Sequence, residues 1–112
     1  MFKKKKRLKK RKDFERVLKK GKQLRENCLV LRFLSNDLKE RRFAFIVSQR
    51  VSKKAVARNK LKRRLSEIVR EKEERFPQGN DYVFIALKGL EGKSFFELNT
   101  IIENLISKIE EK

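Results

Sequence analysis

The sequence predicts one α+β domain, a sandwich in the order α-β-β-β-α-β-α with a central, mostly antiparallel sheet. The chain has 112 residues, a length that fits a single domain. Two long segments carry apolar residues at helical spacing, and several short apolar runs between polar stretches have the character of strands. No internal repeat or second domain is visible, so residues 1–112 are expected to form one domain.

A short first helix is predicted at about 13–20. Its apolar stripe consists of three residues at i, i+3 and i+4, namely Phe14, Val17 and Leu18. Gly21 stands where a helix C-cap is common. The preceding residues 1–7 are highly charged, and we expect them to form a flexible basic arm.

Strand-like runs occupy 28–34, 42–48 and 81–87, with a short additional strand expected at 22–26. The polar stretch between the runs at 28–34 and 42–48 suits a hairpin loop, so these two strands are predicted to pair. In the run at 42–48, alternate residues on both faces are largely apolar. That pattern is typical of a strand covered on both sides, so we expect this strand to be central.

Two longer helices are predicted, at about 54–75 and about 94–110. The first has an apolar stripe expected to face the sheet, formed by Ala57, Leu61, Leu65, Ile68 and Val69. The second has its own stripe, formed by Phe95, Leu98, Ile102, Leu105 and Ile109. Ser94 followed by Glu97 predicts a capping box at its beginning.

The net charge of +18 points to a polyanionic partner. Residues 1–25 have 14 basic side chains against two acids, and residues 50–64 have eight and no acid, whereas residues 71–112 have a net charge of −3. The first and middle segments should therefore form the binding surface. No apolar run approaches the roughly 20 residues of a membrane span, so nucleic acid is expected rather than a membrane.

Two features of the sequence, the single cysteine and the N-terminal segment, indicate the cellular compartment. Cys28 begins an apolar run and is expected to be a small core residue, and one cysteine allows no disulfide within the chain. The basic N-terminus lacks the apolar region of a secretory signal. A cytoplasmic location is therefore expected.

The segment 53–67 is the most informative part of the sequence. One row along its helix contains Arg58, Lys62 and Ser66, and a neighbouring row contains Asn59, Arg63 and Arg70. Like charges four residues apart repel by a few tenths of a kcal/mol, and the helix dipole disfavours cations near an N-terminus. Those costs make sense if phosphates approach this end. The competing interpretation is a merely solvated basic face.

The roles of single residues on this face follow from their chemistry. Arg58 and Arg63 can bind phosphates bidentately, and Lys62 acts as a point charge. Asn59 could hydrogen-bond a base edge or a sugar, or it could orient Arg58. These alternatives stay open at the level of sequence.

Catalysis by the protein alone is not expected. The chain has no histidine, and its three aspartates are far apart. Metal-dependent nucleases need convergent carboxylates, and metal-free ones usually need histidine. With one cysteine and no histidine, a zinc site is excluded as well. The sequence therefore predicts no catalytic residue and no metal ligand, and indicates a binder or the partner of a different catalyst.

The segment V-A-R-N-K-L-K-R at 56–63 resembles the Arg-Asn signature helix of the bacterial ribonuclease P protein family. The segments R-L-K-K-R-K-D-F at 7–14 and V-L-K-K-G-K at 17–22 are similar to that family's N-terminal helix. V-S-Q-R at 47–50 resembles its Val-Ser-Lys-Lys segment, and F-F-E-L at 95–98 fits its last helix. The resemblance covers nearly the whole chain.

The resemblance implies a fold with a left-handed βαβ crossover around the signature helix, an exception to the usual handedness. It also implies a function: the protein subunit of a ribonucleoprotein whose catalytic RNA removes the 5′ leader from precursor tRNA. Magnesium ions held mainly by the RNA would carry out the hydrolysis, and no protein-bound cofactor is expected. The implied partners are the ribonuclease P RNA and the precursor tRNA leader.

Carried over by position, two sets of residues are implied. Those that face the catalytic RNA would be Arg50, Lys53, Lys54, Arg58, Asn59, Lys62 and Arg63. Those of a cleft for the single-stranded leader would be Lys10, Arg11, Lys12, Phe14, Leu18, Val30 and Arg32.

The sequence departs from the family pattern at three positions. Leu18 and Arg32 stand where members often carry aromatics, and Ser52 stands where glycine is common. Phe14 keeps a ring for stacking, worth about 1–3 kcal/mol per base, and Arg32 can stack its guanidinium or bind a phosphate. The competing interpretation of Phe14 and Leu18 is core packing.

Two other function classes fit the charge and size. One is a structural RNA-binding protein of the ribosomal type, which would be distinguished by its partner. The other is a DNA-compacting protein, but no helix-turn-helix spacing and no dimer seam supports it. We therefore expect neither DNA nor a membrane as a partner.

Overall fold

The computed structural model describes residues 7–110, which contain three α-helices and four strands. The helices are α1 (Arg11–Lys20), α2 (Ala55–Glu71) and α3 (Phe95–Glu110). The strands are β1 (Lys22–Glu26), β2 (Leu29–Ser35), β3 (Arg42–Ile46) and β4 (Asn80–Ala86). Short 3-10 turns follow α2 and β4, at Glu73–Arg75 and Leu90–Gly92. The predicted α+β class and element order are confirmed.

The four strands form one sheet in the order β1-β2-β4-β3. β1 and β2 pair antiparallel, β2 and β4 pair antiparallel, and β3 and β4 pair parallel. β3, α2 and β4 thus form the parallel βαβ unit that the resemblance implies. The predicted hairpin between β2 and β3 is wrong, because β4 lies between them: Val83 is paired with Arg32 on one side and Ala44 on the other.

The prediction that the strand beginning at Arg42 is central is also wrong, because β3 is the last strand at one side of the sheet. Its two apolar faces have another cause. Phe43 packs in the core below α2 and α3, whereas Ala44 packs beneath α1. The N-terminal segment also lies along its outer edge: Arg7 forms a bridge with Phe43, and the Leu8 N–H donates to the Phe43 carbonyl at 2.9 Å.

This pairing corrects the predicted flexible arm at its last residue. Arg7 is attached to β3, and Leu8 is buried. Residues 1–6, the rest of the predicted arm, lie outside the described residues, as do 111–112.

The sheet separates two apolar clusters because successive residues of a strand point to opposite faces. The larger cluster lies between one face and the helices α2 and α3, and it includes the aromatic group of Phe43, Phe76 and Tyr82. The buried Tyr82 hydroxyl donates to the Pro77 carbonyl at 2.6 Å, and burial raises the pKa of this phenol. The smaller cluster lies between the other face and α1.

The apolar stripe predicted for α2 is confirmed over most of its length, since Leu61, Leu65, Ile68 and Val69 are buried. The helix is shorter than predicted. It ends at Glu71, and a 3-10 turn then brings Phe76 into the core, where this ring is fully buried. On α3, Phe95 is 45% exposed, although the rest of its predicted stripe is buried.

The capping box at the beginning of α3 is confirmed. The Ser94 N–H donates to Glu97 Oε1 at 2.9 Å, and the Glu97 N–H donates to Ser94 Oγ at 3.1 Å. We expect Ser94→Ala to lower the free energy of unfolding by about 1 kcal/mol, since an N-cap substitution removes one partner of an otherwise unpaired helix N–H. Denaturant unfolding would measure it. Ser107→Ala, at an exposed position of the same helix, should cost nothing; an equal loss there would contradict the capping explanation.

A charged group joins the turn after α2 to α3. Glu103 accepts hydrogen bonds from Arg75 at 2.6 Å and Lys72 at 3.0 Å, and these hydrogen bonds, Arg75 first, lower the pKa of its carboxyl. A lowered pKa in the folded state adds stability above the unfolded value of about 4.3, and that stability disappears as pH falls through the folded value.

We therefore expect Glu103→Gln to be less stable than the wild type at pH 7. The loss should not exceed about 1 kcal/mol, because Glu103 is partly exposed and water screens its contacts. The difference should vanish at strongly acidic pH. Melting curves recorded from pH 7 downwards would test this. Glu71→Gln, at an exposed carboxylate on the end of α2, serves as the control, and a pH-independent deficit for Glu103→Gln would refute the assignment.

Candidate nucleic-acid interface

The first half of α2 presents a cationic surface. The helix begins at Ala55 after Lys54, no side chain caps its N-terminus, and its first turn contains no acid. The predicted contact residues exposed on this surface are Arg50, Lys53, Lys54, Asn59, Lys62 and Arg63. The unpaired N–H groups of the first turn and these cations both favour an anion at this end of the helix.

Arg58 differs from the other cations of α2 because it turns towards the preceding loop. Its Nη1 donates to the carbonyls of Ser52 and Lys53, both at 3.0 Å. Ser52 in turn accepts a hydrogen bond at Oγ from the Lys54 N–H at 3.3 Å. The guanidinium therefore holds the loop that carries Lys53 and Lys54, a role that was not predicted from the sequence.

A groove of about 520 Å³ lies between the N-terminal segment, β3 and α2. Its apolar lining consists of Leu8, Phe14, Phe43, Ala44 and Phe45. Its polar lining consists of Arg7, Lys9, Asn59, Lys62, Arg63 and Ser66. We call this the β3 groove. It brings Phe14, predicted for the leader cleft, together with three residues predicted to face the catalytic RNA.

Phe14 lies at the boundary between the smaller apolar cluster and the β3 groove. Its ring is half-buried and packs against the smaller apolar cluster, and it also lines the β3 groove. Leu18, one turn further along α1, is 39% exposed and lies outside both clusters. The basic residues Lys10, Arg11 and Lys12 are exposed at the beginning of the same helix.

Val30 lies on the sheet face that α1 covers, and it is 8% exposed. The strand register places it beside Ile85, which in turn pairs with Ile46. Both isoleucines are only partly buried. An apolar row thus crosses three strands next to α1.

Arg32 is held by the end of α1. Its Nη2 donates to the Gly21 carbonyl at 3.0 Å, its Nε to the Val17 carbonyl at 3.4 Å, and its Nη1 to Gln23 Oε1 at 2.7 Å. The guanidinium therefore fastens α1 to β2. Gly21 permits this junction because a Cβ there would lie 2.4 Å from the Val17 carbonyl oxygen; its backbone is extended, not left-handed.

Several residues of the β3 groove were not predicted from the sequence, among them Arg7, Lys9, Phe45 and Ser66. Arg7 and Lys9 belong to a long basic run in which no position stands out, so charge alone gave no signal. Ser66 did appear in a helix row with Lys62, which is the one signal that pointed to it.

Within residues 7–110, no three His, Cys, Asp or Glu side chains come together as a group that could hold a metal ion. None of the described helices has the length and apolar character to cross a membrane. Cys28 is half-buried and packs against the larger apolar cluster, as predicted for a core residue.

Comparisons with known proteins agree with the sequence resemblance. The chain matches the model of the ribonuclease P protein family over residues 2–110. It is 39% identical to the "Ribonuclease P protein component" of Clostridium kluyveri over 104 residues, which cover 91% of this chain and 92% of that protein. It is 36% identical to the protein of the same name from Pelotomaculum thermopropionicum, with 92% and 91% covered.

Solved structures give the same result. The RNase P protein from Thermotoga maritima superposes with a TM-score of 0.82 at 33% identity, covering 91% of this chain and 96% of that one. The RNase P protein of Staphylococcus aureus superposes with a TM-score of 0.83 at 26% identity, covering 94% of both chains. The chain therefore belongs to the ribonuclease P protein component family.

Proposed function

We propose that this chain is the protein subunit that binds a catalytic ribonuclease P RNA and the 5′ leader of precursor tRNA. In this role it promotes magnesium-dependent endonucleolytic removal of the leader, which is the 5′ maturation of tRNA. The observation that carries the proposal is the β3 groove, where an aromatic and apolar floor meets the cations of α2.

The cationic surface of α2 is suited to a folded RNA. Lys62 and Arg63 are exposed, and Arg58 holds Lys53 and Lys54 beside the helix N-terminus. Phosphates of a structured RNA would be bound bidentately by arginine and as point charges by lysine. Because such contacts release counterions, binding should weaken steeply as salt is raised.

The β3 groove and the neighbouring apolar row are suited to a single strand. Unpaired bases expose apolar faces that can stack on Phe14 or lie against the isoleucines, while Lys9, Lys62 and Arg63 neutralise the backbone. Asn59 lines the same groove and has an amide that can donate to and accept from a base edge. A duplex hides its base faces, so the groove favours the leader over the paired tRNA stem.

The protein's contribution to catalysis is binding and orientation. Magnesium ions held mainly by the RNA would carry out the hydrolysis. Lys62 and Arg63 reduce the repulsion between two RNA chains, and the groove fixes the leader relative to the catalytic RNA. Both effects should matter most when magnesium is scarce, because the ions otherwise supply the same screening.

Reconstitution tests the proposal. The protein is mixed with a bacterial ribonuclease P RNA and a precursor tRNA at low magnesium, and release of the 5′ leader is followed. We expect strong stimulation of leader release by the wild type and by the control variant Lys22→Ala/Lys39→Ala. Both lysines are exposed and lie away from the groove: Lys22 is on β1, and Lys39 is in the loop after β2. Tight RNA binding without stimulation would favour a structural RNA-binding protein of the ribosomal type.

A further inference from the structure

Helix α1 is fastened to the sheet by few apolar contacts. Val17 is its one fully buried residue, and Phe14 is half-buried. Most of the remaining surface is cationic, with Lys12, Lys19 and Lys20 exposed. Apolar burial alone therefore contributes little to the packing of α1 against the sheet. Polar contacts must determine much of the position of this helix.

A polar network lies under the beginning of α1. Arg42 on β3 donates from Nε and Nη2 to the two carboxylate oxygens of Asp81 on β4, at 2.7 and 2.8 Å. Its remaining nitrogen, Nη1, lies 3.3 Å from Oδ2 of Asp13 on α1. The Arg42 and Asp13 side chains are 17% and 21% exposed, so water screens this contact only in part.

The centre of the network is rigid. Asp81 is fully buried, and it also accepts a hydrogen bond from Asn36 Nδ2 at 2.9 Å. Asn36 is itself held by the Leu38 N–H, which donates to its Oδ1 at 2.8 Å. Because Asp81 cannot shift, the fork of Arg42 is fixed in direction and presents its third nitrogen at a defined place.

Asp13 lies in the first turn of α1, where the helix dipole favours a carboxylate. It directly precedes Phe14 and follows the basic run at 9–12, on the surface where a polyanion is proposed to bind. A negative charge there repels phosphates. This cost is offset if the contact with Arg42 contributes more to binding than the repulsion removes.

We propose that Asp13, Arg42 and Asp81 form a latch that positions α1, so that Phe14 and the basic residues beside it stand at the correct distance from the sheet for a single-stranded leader. This inference rests on the proposed function and adds a positioning role for three residues that need not touch RNA. The latch residues act through α1, whereas Lys62 and Arg63 act directly.

The test compares two substitutions that each remove one carboxylate from α1. Asp13→Ala opens the latch. Glu15→Ala removes an exposed carboxylate that pairs with Arg11 on the same helix, at 3.2 Å. Each holoenzyme is assembled with the catalytic RNA, and its affinity is measured for precursor tRNA with a leader of several nucleotides and with a leader of one nucleotide.

For Asp13→Ala we expect about a tenfold loss in affinity for the long leader, the size of a partly lost base contact, and no change for the short one. The loss has the opposite sign to the electrostatic effect, because removing a negative charge should by itself strengthen RNA binding. Glu15→Ala should bind the long leader as well as the wild type or better. Affinity for the catalytic RNA should be unchanged in both variants.

Arg42→Lys is a second test that leaves the net charge unchanged. A lysine can keep one contact with Asp81 but lacks the fork that reaches Asp13, so the same selective loss is expected. An equal loss of affinity for the long-leader and the short-leader substrates would overturn the proposed latch. An Asp13→Ala variant that binds both substrates as Glu15→Ala does would overturn it as well. A wild-type protein that gains nothing from a long leader would instead refute the proposed function itself.

Discussion

Arg58→Ala/Arg63→Ala is expected to lower the affinity for the catalytic RNA by about 3 kcal/mol, roughly 100-fold, since Arg63 can make charge-assisted hydrogen bonds to phosphates and Arg58 positions the lysines of the preceding loop. Arg63 is exposed beside the β3 groove, and Arg58 holds the loop carbonyls at 52 and 53. Equilibrium binding to the RNA at several salt concentrations would measure the effect. The double variant Lys22→Ala/Lys39→Ala removes the same charge elsewhere and should bind nearly as the wild type does.

Substitution of Arg58 and substitution of Arg63 should lower the RNA affinity by different routes. If Arg58 acts by holding the loop, then Arg58→Ala already misplaces Lys54, and adding Lys54→Ala should cost less than it does alone. Arg63 has no such contact with the loop, so its effect and that of Lys54→Ala should add. Unchanged RNA affinity in the double arginine variant would refute the role of this helix face.

The helices were predictable because their signal is local. The apolar stripe of α2 recurs every three to four residues, and four of its five predicted members are buried. The capping box of α3 depends on residues three apart, and both of its hydrogen bonds are present. Neither inference needs knowledge of a distant segment.

The strand order was not predictable in the same way. The polar stretch after β2 looks like a hairpin loop, but a loop sequence does not reveal which strand occupies the neighbouring place in the sheet. That place is taken by β4, which reaches the sheet only after α2. The apolar faces of β3 were equally ambiguous, since an edge strand covered by α1, α2 and residues 7–8 has the same pattern as a central one.

The candidate site, too, could be predicted from the sequence only in part. Residue types on α2 pointed to phosphate binding, but the direction of a guanidinium depends on tertiary neighbours. Arg58 and Arg32 both donate to backbone carbonyls, and a carbonyl is present at every residue, so no sequence signal marks these contacts. The β3 groove exists because the N-terminal segment pairs with β3, which the charge run did not reveal.

Asp81→Ala is expected to give the largest loss of stability, about 3–5 kcal/mol, because it deprives the largely buried Arg42 of the carboxylate that pairs with its Nε and Nη2. A loss of that size should lower the melting temperature by on the order of 15 °C. Calorimetry or denaturant unfolding would measure it. Glu71→Ala, at an exposed carboxylate, should change stability little, and a similarly small effect of Asp81→Ala would contradict the importance of the buried pair.

A combined substitution separates the two roles of this pair. Arg42→Met/Asp81→Leu replaces both charges with apolar groups, and such replacements often keep or raise stability because no charge is left buried and unpaired. We expect it to recover most of what Asp81→Ala loses. It nevertheless leaves Asp13 without Arg42, so the holoenzyme should still bind a long leader less tightly. A protein that is stable yet selectively poor at binding the leader would show that these charges serve the position of α1 rather than the stability of the fold.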